Sequence, residues 1–420
     1  MTVENPTGTQ RTRWGLRLLS YVAAGLLGAT LAVGALVATG TSYLTPPIVM
    51  EKLVDCIGAD DLVAQGETTA TPPSAEVAAV RDGFRDPIAV ASVSESQLLV
   101  AERSGVITLM NVETDARETV LDLRARIDST VENGLLGIAL HPRFGQGGER
   151  RLFMHFNRTP DGAIVIASIQ LSNDLQAAVD TLRALQVIPH EDGWHAGGGL
   201  GFLPDGRLLA GIGDDSKPNE AQNRSSMHGK ILAFDVDDPT SGPSIFASGL
   251  RNPFRIAIDE LRGELWVADV GQFCIEEVNR IALDQAEGAN FGWPLYEGSR
   301  AWPRYVSSDY GYGDGDEDDS AESTVEFIEP ITTYLHEKGG ACAVIGGAVA
   351  GDWYLFVDYC DGIVRGIPVD ATAGTQSIEL LNLNADALSV GVIGVVRDAA
   401  GRIWLLDKWG GALMELTVTP

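Results

Sequence analysis

Six times along the chain the same short pattern returns. A small or charged residue is followed by two or three large apolar residues, then Asp or Glu with Gly. The copies are QLLVAERSG from Gln97, RLFMHFNRTPDG from Arg151, RLLAGIGDD from Arg207, ELWVADVGQ from Glu264, WYLFVDYCDG from Trp353 and RIWLLDKWGG from Arg402. Their starts are 54, 56, 57, 89 and 49 residues apart. Each is followed by a second apolar run, such as VITLMNV, AIVIASI, KILAFDV or GALMELTV. The unit is therefore strand, Gly-rich turn, strand. A period of roughly 50–60 residues built from strands predicts a β-propeller, and six copies predict six blades over residues 75–420. The fold class is all-β, because strands do not alternate with helical patterns of about 10–15 residues. The one long interval holds an insert at about 295–329. It contains GYGDGDEDDSAES, too acidic and Gly-rich to pack, and it reads as a surface loop without the ligand order of an EF-hand.

One segment breaks the strand pattern. From Leu18 to Ala38 the chain runs 21 residues without a charge, after Arg11, Arg13 and Arg17. That is enough to cross a bilayer as a helix, and the flanking arginines put the N-terminus on the cytoplasmic side. The expected order is a cytoplasmic N-terminus (1–17), a transmembrane anchor or signal segment (18–40), an exported tether (41–74) and the propeller. The protein is then membrane-anchored with the propeller on the extracytoplasmic side, or secreted if the segment is cleaved.

Export changes how the cysteines read. Four cysteines in an exported chain point to disulfides. Cys342 and Cys360 flank VIGGAVAGDWYLFV and suit a bridge between neighbouring strands, which leaves Cys56 for Cys274. The charge narrows the partners. Thirty Lys and Arg against 58 Asp and Glu give a net charge of −28, which argues against nucleic acid.

Candidate chemistry lies where loops of several blades converge. Four stretches stand out: VENGLLGIALHPRF (131–144), GWHAGGGLGFLPDGRLLAGIGDD (193–215), SGLRNPFRIAID (248–259) and VADVGQFCIEEVNRI followed by GANFGWPLYEG (267–298). Read as residues alone, His195 is either a general base or a loop histidine bonded to a carbonyl, and Arg251 is either an oxyanion donor or a structural ion pair. Asp214, Lys230 and Arg255 are site-lining groups or blade salt bridges.

Taken together and in this order, NGLLGIALHP, H-x-G-G-G-L-x-F-x-P-D-G, G-L-R-N-P and DVGQ…EEVN…NFGWP resemble the glucose/sorbosone dehydrogenase family. This is the soluble quinoprotein aldose dehydrogenase group, which also includes the propeller of hedgehog-interacting protein. The resemblance covers nearly all of the region from Gly83 to Trp409, and it implies a six-bladed propeller. It further implies oxidation of an aldose sugar at C1 by pyrroloquinoline quinone, with calcium polarising the cofactor. On this likeness His195 is the general base, Arg251 and Asn252 grip the quinone and its developing charge, and Glu132 lies beside the cofactor. Trp293 helps to wall the substrate cleft, and the main-chain carbonyls of Gly271 and Gln272 ligate calcium. The electron acceptor is not implied.

The resemblance is incomplete where the quinone's carboxylates need cations. Ala350 stands near a position where relatives carry Lys, and the last blade offers Arg397 and Arg402 only at a strand turn. Lys338, Arg365 or Lys408 could supply the charge instead. Trp194 stands where relatives carry Asn or Asp to orient the histidine. Two functional classes follow. One is an exported sugar dehydrogenase, and the other is a non-catalytic cell-surface propeller that binds a carbohydrate or a protein.

Overall fold

The six repeat copies fall on the second strand of six different sheets. The first strand of the chain, β1 (Ser74–Arg81), is reserved for closure. Blade 1 is β2 (Pro87–Ser92), β3 (Gln97–Glu102), β4 (Val106–Asn111) and β5 (Arg117–Asp122). Blade 2 is β6 (Leu135–Leu140), β7 (Arg151–Asn157), β8 (Ile164–Gln170) and β9 (Arg183–Ile188). Blade 3 is β10 (Leu200–Phe202), β11 (Leu208–Ile212), β12 (Lys230–Phe234) and β13 (Ser244–Ser248). Blade 4 is β14 (Pro253–Asp259), β15 (Glu264–Asp269) and β16 (Ile275–Ala282). A short β17 (Ala289–Asn290) then pairs parallel to β13, and β18 (Tyr296–Glu297) pairs with β19 (Arg300–Ala301). β20 (Thr332–Leu335) completes blade 4. Blade 5 is β21 (Val344–Ala350), β22 (Trp353–Asp358), β23 (Ile363–Pro368) and β24 (Ile378–Asn382). Blade 6 is β25 (Val392–Arg397), β26 (Ile403–Asp407), β27 (Ala412–Thr419) and, as its outer strand, β1. The last blade is thus built from both ends of the propeller, which closes the ring.

This computed structural model describes residues 63–238, 240–272, 274–301, 326–335, 341–384 and 391–420, all within the unit Gly58–Pro420. The expected membrane segment, most of the tether, Cys56, Lys338 and the acidic run of the insert lie outside them. Among the described residues no helix is long and apolar enough to cross a membrane. The end of the expected tether is packed rather than loose. Ala64 N–H donates to Thr333 Oγ1, Gly66 forms a bridge with Thr375, and β1 begins at Ser74. The ends of the insert are also anchored, with Tyr296 stacked on Phe327 at 4.0 Å between ring centroids.

The first strands of the blades, β2, β6, β10, β14, β21 and β25, touch one another in sequence around a closed ring. The second strands lie between neighbouring blades. Leu98, Leu99, Val100 and Ala101 are all buried, as are Leu208, Leu209 and Ala210. Both faces of these strands are covered, so they read as continuous apolar runs and not as alternation. Burial at roughly 25 cal/mol per Å² of apolar surface is what holds the blades side by side. The disulfide Cys342–Cys360 joins the entry of β21 to the exit of β22, as the spacing suggested. Cys274 is also disulfide-bonded, while its expected partner lies outside the described residues.

The acid that ends each repeat has a structural duty. Glu102 accepts a hydrogen bond from Arg85 N–H, Asp269 from the N–H groups of Arg251 and Asn252, Asp358 from those of Cys342 and Ala343, and Asp407 from that of Gly391. In blade 2 Asn157 Oδ1 does the same for Gly134. Every donor lies just ahead of the first strand of its own blade. The repeat acid therefore fastens the inter-blade loop by pairing main-chain N–H groups that burial would otherwise leave without partners.

Candidate active site at the propeller axis

Blade 3 uses the same position differently. Its repeat acid, Asp214, lies two residues beyond the end of β11. It meets the loop ahead of β10 through a side chain: His195 Nδ1 stands 2.7 Å from Asp214 Oδ1. The other carboxylate oxygen, Oδ2, accepts from Trp293 Nε1–H at 2.9 Å. Asp214 is fully buried and His195 is mostly so. His195 adopts φ +57°, a conformation that costs a non-glycine residue about 1 kcal/mol or more and marks a position held by its surroundings. Its N–H donates to Glu132 Oε2 at 3.0 Å, and Gly197 N–H donates to Asn252 Oδ1 at 3.0 Å. Gly213 has to be glycine, since a Cβ there would come within 1.9 Å of His195 O.

The tautomer of His195 follows from its neighbours. Arg251 Nη2 stands 2.8 Å from His195 Nε2. A guanidinium has no acceptor, so it must donate, and Nε2 must offer its lone pair. Nδ1 then carries the hydrogen and donates it to Asp214. A carboxylate, a ring held in one tautomer and a basic Nε2 make the pair of a general base. Arg251 itself is fixed from three sides. Its Nε donates to Gln272 Oε1 at 2.6 Å, its Nη1 to Val270 O at 3.0 Å, and its N–H to Asp269.

Beside His195 lies a cleft of about 270 Å³ lined by Arg103, Val131, Glu132, Trp194, Asn252, Tyr359, Lys408 and apolar groups from several blades. Two of its residues are cations. Arg103 pairs with Asp86 at 2.6 Å and binds the carbonyls of Ser129, Val131 and Asn133, which shapes one wall. Lys408 has no carboxylate partner among the described residues, and its Nζ lies 5.3 Å from the Tyr359 ring centroid. A larger cavity of about 910 Å³ is lined by Arg262, Trp353 and Arg402. It includes none of the candidate site residues.

The expected residues therefore converge, with changes of role. His195 is joined to Arg251 and to Glu132 by direct hydrogen bonds, and Asn252 holds the same loop by accepting from Gly197 N–H. Trp293 is buried and reaches the site through Asp214; the exposed tryptophan at the cleft is Trp194. Gly271 and Gln272 form the turn beneath Arg251. Arg251 donates to Val270 O and Gln272 Oε1 there. Behind this turn four carboxylates are buried: Asp269, Glu276, Glu277 and Glu297. Glu276 accepts Gly271 N–H, and Glu297 accepts the N–H groups of Gln272 and Cys274. Burial raises Asp269, offset by its two main-chain donors, and burial with the nearby Asp269 charge raises Glu277. Of the substitute cations, Lys408 reaches the cleft, whereas Arg365 is spent on Asp361 at 2.5 Å. Lys230 is a structural group, its Nζ donating to the carbonyls of Glu220, Ala221 and His228.

Sequence reasoning did not find the wall role of Arg103. Its signal was weak, because an arginine after a repeat acid looks like any blade ion pair.

Known proteins share this arrangement of strands and motifs. Residues 84–334, more than half of the chain, match the profile of the family described as Glucose / Sorbosone dehydrogenase. The chain belongs to that family. Among its relatives is the HIPL1 protein of Arabidopsis thaliana, 27% identical over 349 residues that cover 63% of this chain and 48% of that protein. The aldose sugar dehydrogenase YliI of Escherichia coli is 28% identical over 179 residues, 39% of this chain and 47% of that one. Hedgehog-interacting protein of Mus musculus is 26% identical over 219 residues, 43% of this chain and 31% of that one. Each match spans less than two thirds of the relative. The fold agrees with the PQQ-bound aldose sugar dehydrogenase of Streptomyces coelicolor, with a TM-score of 0.64 at 23% identity over 83% of this chain and all of that one. For this family member the six-bladed propeller is thus common ground, while its relatives include both a named dehydrogenase and hedgehog-interacting protein.

Proposed function

We propose that this family member is an exported sugar dehydrogenase that oxidises an aldose at C1, with His195 as general base and pyrroloquinoline quinone in the 270 Å³ cleft. The observation that carries the reading is the fixed tautomer of His195, whose neighbours Trp194 and Glu132 line a cleft that contains Lys408, a cation without a carboxylate partner among the described residues.

The residues present fit the quinone. Ile88, Leu136, Phe254 and Ile393 give the cleft an apolar floor for a ring system. Lys408 would meet a carboxylate, with Asn252 and Glu132 at the edge and Arg103, paired with Asp86, shaping one wall. The carbonyls of Gly271 and Gln272, backed by the buried carboxylates, suit a hard cation such as calcium. When bound, the quinone supplies the acceptor for the hydride leaving C1, with calcium polarising it.

The chain's own part is proton transfer and charge stabilisation. His195 Nε2 takes the proton of the sugar hydroxyl. Asp214 keeps Nδ1 protonated and stabilises the imidazolium that forms, and Trp293 holds Asp214 in line. Nε2 has one lone pair, so Arg251 Nη2 has to leave it before the sugar hydroxyl can donate there, and once the proton has moved the two nitrogens are both donors and stay apart. The guanidinium is then free to donate to an oxygen that gains charge. The uncharged run Leu18–Ala38 supports an anchored or secreted protein working outside the cytoplasm.

A second reading rests on one observation. In the structure Arg251 already occupies the lone pair of His195. A base closed by a fixed cation suits a propeller that binds a carbohydrate or a protein without turning it over.

The test uses the full chain with quinone, calcium, an aldose and an artificial electron acceptor. Sugar-dependent reduction of the acceptor, lost in a folded His195→Ala variant, supports the dehydrogenase. A quinone-loaded protein that never reduces the acceptor with any aldose supports the second reading.

A further inference from the structure

Arg255 sits on the axis immediately below the cleft. Its guanidinium donates to four main-chain carbonyls from four blades. Nη1 meets Leu136 O at 3.1 Å and Phe254 O at 2.9 Å, and Nη2 meets Ile88 O at 2.6 Å and Ile393 O at 3.4 Å. Its Cζ also lies 4.1 Å from the centroid of the Phe254 ring. These four residues are the apolar floor of the 270 Å³ cleft. The same guanidinium lines a separate cavity of about 540 Å³ on its other side. Arg255 therefore divides the two, with one layer of backbone between its charge and whatever fills the cleft.

No carboxylate among the described residues reaches Arg255. Protein packed around it lowers its pKa to about 9, still above neutral, so the charge persists at pH 7. Arg255 is half-buried, and a cation there satisfied only by carbonyl dipoles is less screened than one at the open surface. A neutral amide has two N–H groups and would satisfy two of these four carbonyls, so hydrogen bonding and charge have to be tested apart.

We infer that Arg255 is a positioning residue whose charge, acting through the cleft floor, selects a planar polycarboxylate as the occupant of the cleft. The inference rests on the quinone reading above and gives it a source of charge at the axis. In a protein of net charge −28, an anionic ligand needs such a local cation. Arg103 is neutralised by Asp86, which leaves Lys408 at the cleft rim and Arg255 beneath its floor.

The experiment compares pyrroloquinoline quinone with its uncharged trimethyl ester, binding each to the full chain and following tryptophan fluorescence. The ratio of the two affinities isolates charge, because a merely structural loss weakens both ligands together. Wild type should prefer the acid. Arg255→Gln, which keeps two N–H donors and loses the charge, should cut that preference about tenfold or more. A folded R255Q with an unchanged ratio overturns the inference and leaves the quinone reading intact. Wild type that binds neither ligand overturns both. If R255Q does not fold, Lys408→Gln read at about 1 M salt takes its place, since exposed charges are screened most there and a half-buried one beneath the cleft floor less. A preference for the acid that survives in K408Q at high salt supports Arg255, and one that vanishes contradicts it.

Discussion

Asp214 Oδ1 lies 2.7 Å from His195 Nδ1, where the other five blades place a repeat acid or amide against main-chain N–H groups. The candidate base is held by a modified structural clamp. The modification is visible in the spacing. The acid follows the start of its repeat by seven residues in blade 3, Arg207 to Asp214, but by five in Gln97 to Glu102 and Glu264 to Asp269. Asp214→Asn should therefore leave the fold intact, because Asn still accepts from one donor, while it disturbs the histidine tautomer. We expect kcat to fall about 10²–10⁴-fold with the near-ultraviolet circular dichroism unchanged. A variant with wild-type kcat would remove Asp214 from the mechanism.

The stability of the protein should fall as pH rises through neutral. Glu277 is pushed up to about 8, first by burial and then by the Asp269 charge. Asp269 receives two main-chain N–H groups and keeps the charge of the pair, so Glu277 holds the proton. Asn279, whose Oδ1 has no partner as oriented, can turn its amide to accept it. The folded state then binds a proton that the unfolded chain releases near its ordinary carboxylate range. This contribution is fully present below about pH 4 and is lost as pH rises through about 8. Glu277→Gln should flatten the decline of Tm between pH 5 and 8 in chelator, raising Tm at pH 8 by a few degrees. An unchanged slope would place the proton elsewhere.

Lys408→Gln should weaken quinone binding about tenfold at low salt, the effect of one partly exposed charge-assisted hydrogen bond. The loss should shrink as salt is added. Equal affinities of wild type and variant at low salt would show that the ammonium does not face the ligand.

Breaking Cys342–Cys360 should cost about 3 kcal/mol, the loop-closure value for a bridge 18 residues apart. The Cys342→Ser, Cys360→Ser pair tests this by denaturant unfolding. Asp358 still fastens the N–H groups of residues 342 and 360 there, so the variant should fold.

Blade number and strand order were legible because the middle strands are covered on both faces and have to be apolar throughout. Loop position singled out the stretches that carry His195, Arg251 and Asn252, and the family resemblance gave those residues their expected roles. What stayed hidden depends on which blade faces which. Trp293 was expected at the cleft and instead supports Asp214. Trp194, read as a missing orienting residue, is free of that duty because Asp214 orients the base from the next strand. Arg255 looked like a blade salt bridge, since nothing local in LRNPFRI shows that carbonyls from four blades meet at its side chain.

The central claim is that the axial cleft holds pyrroloquinoline quinone. The most direct measurement is a titration of the purified, calcium-loaded chain with the quinone, followed by its absorbance. Saturable one-to-one binding is the predicted result. No binding at high micromolar quinone, in a sample shown to be folded, would contradict it and leave a recognition propeller.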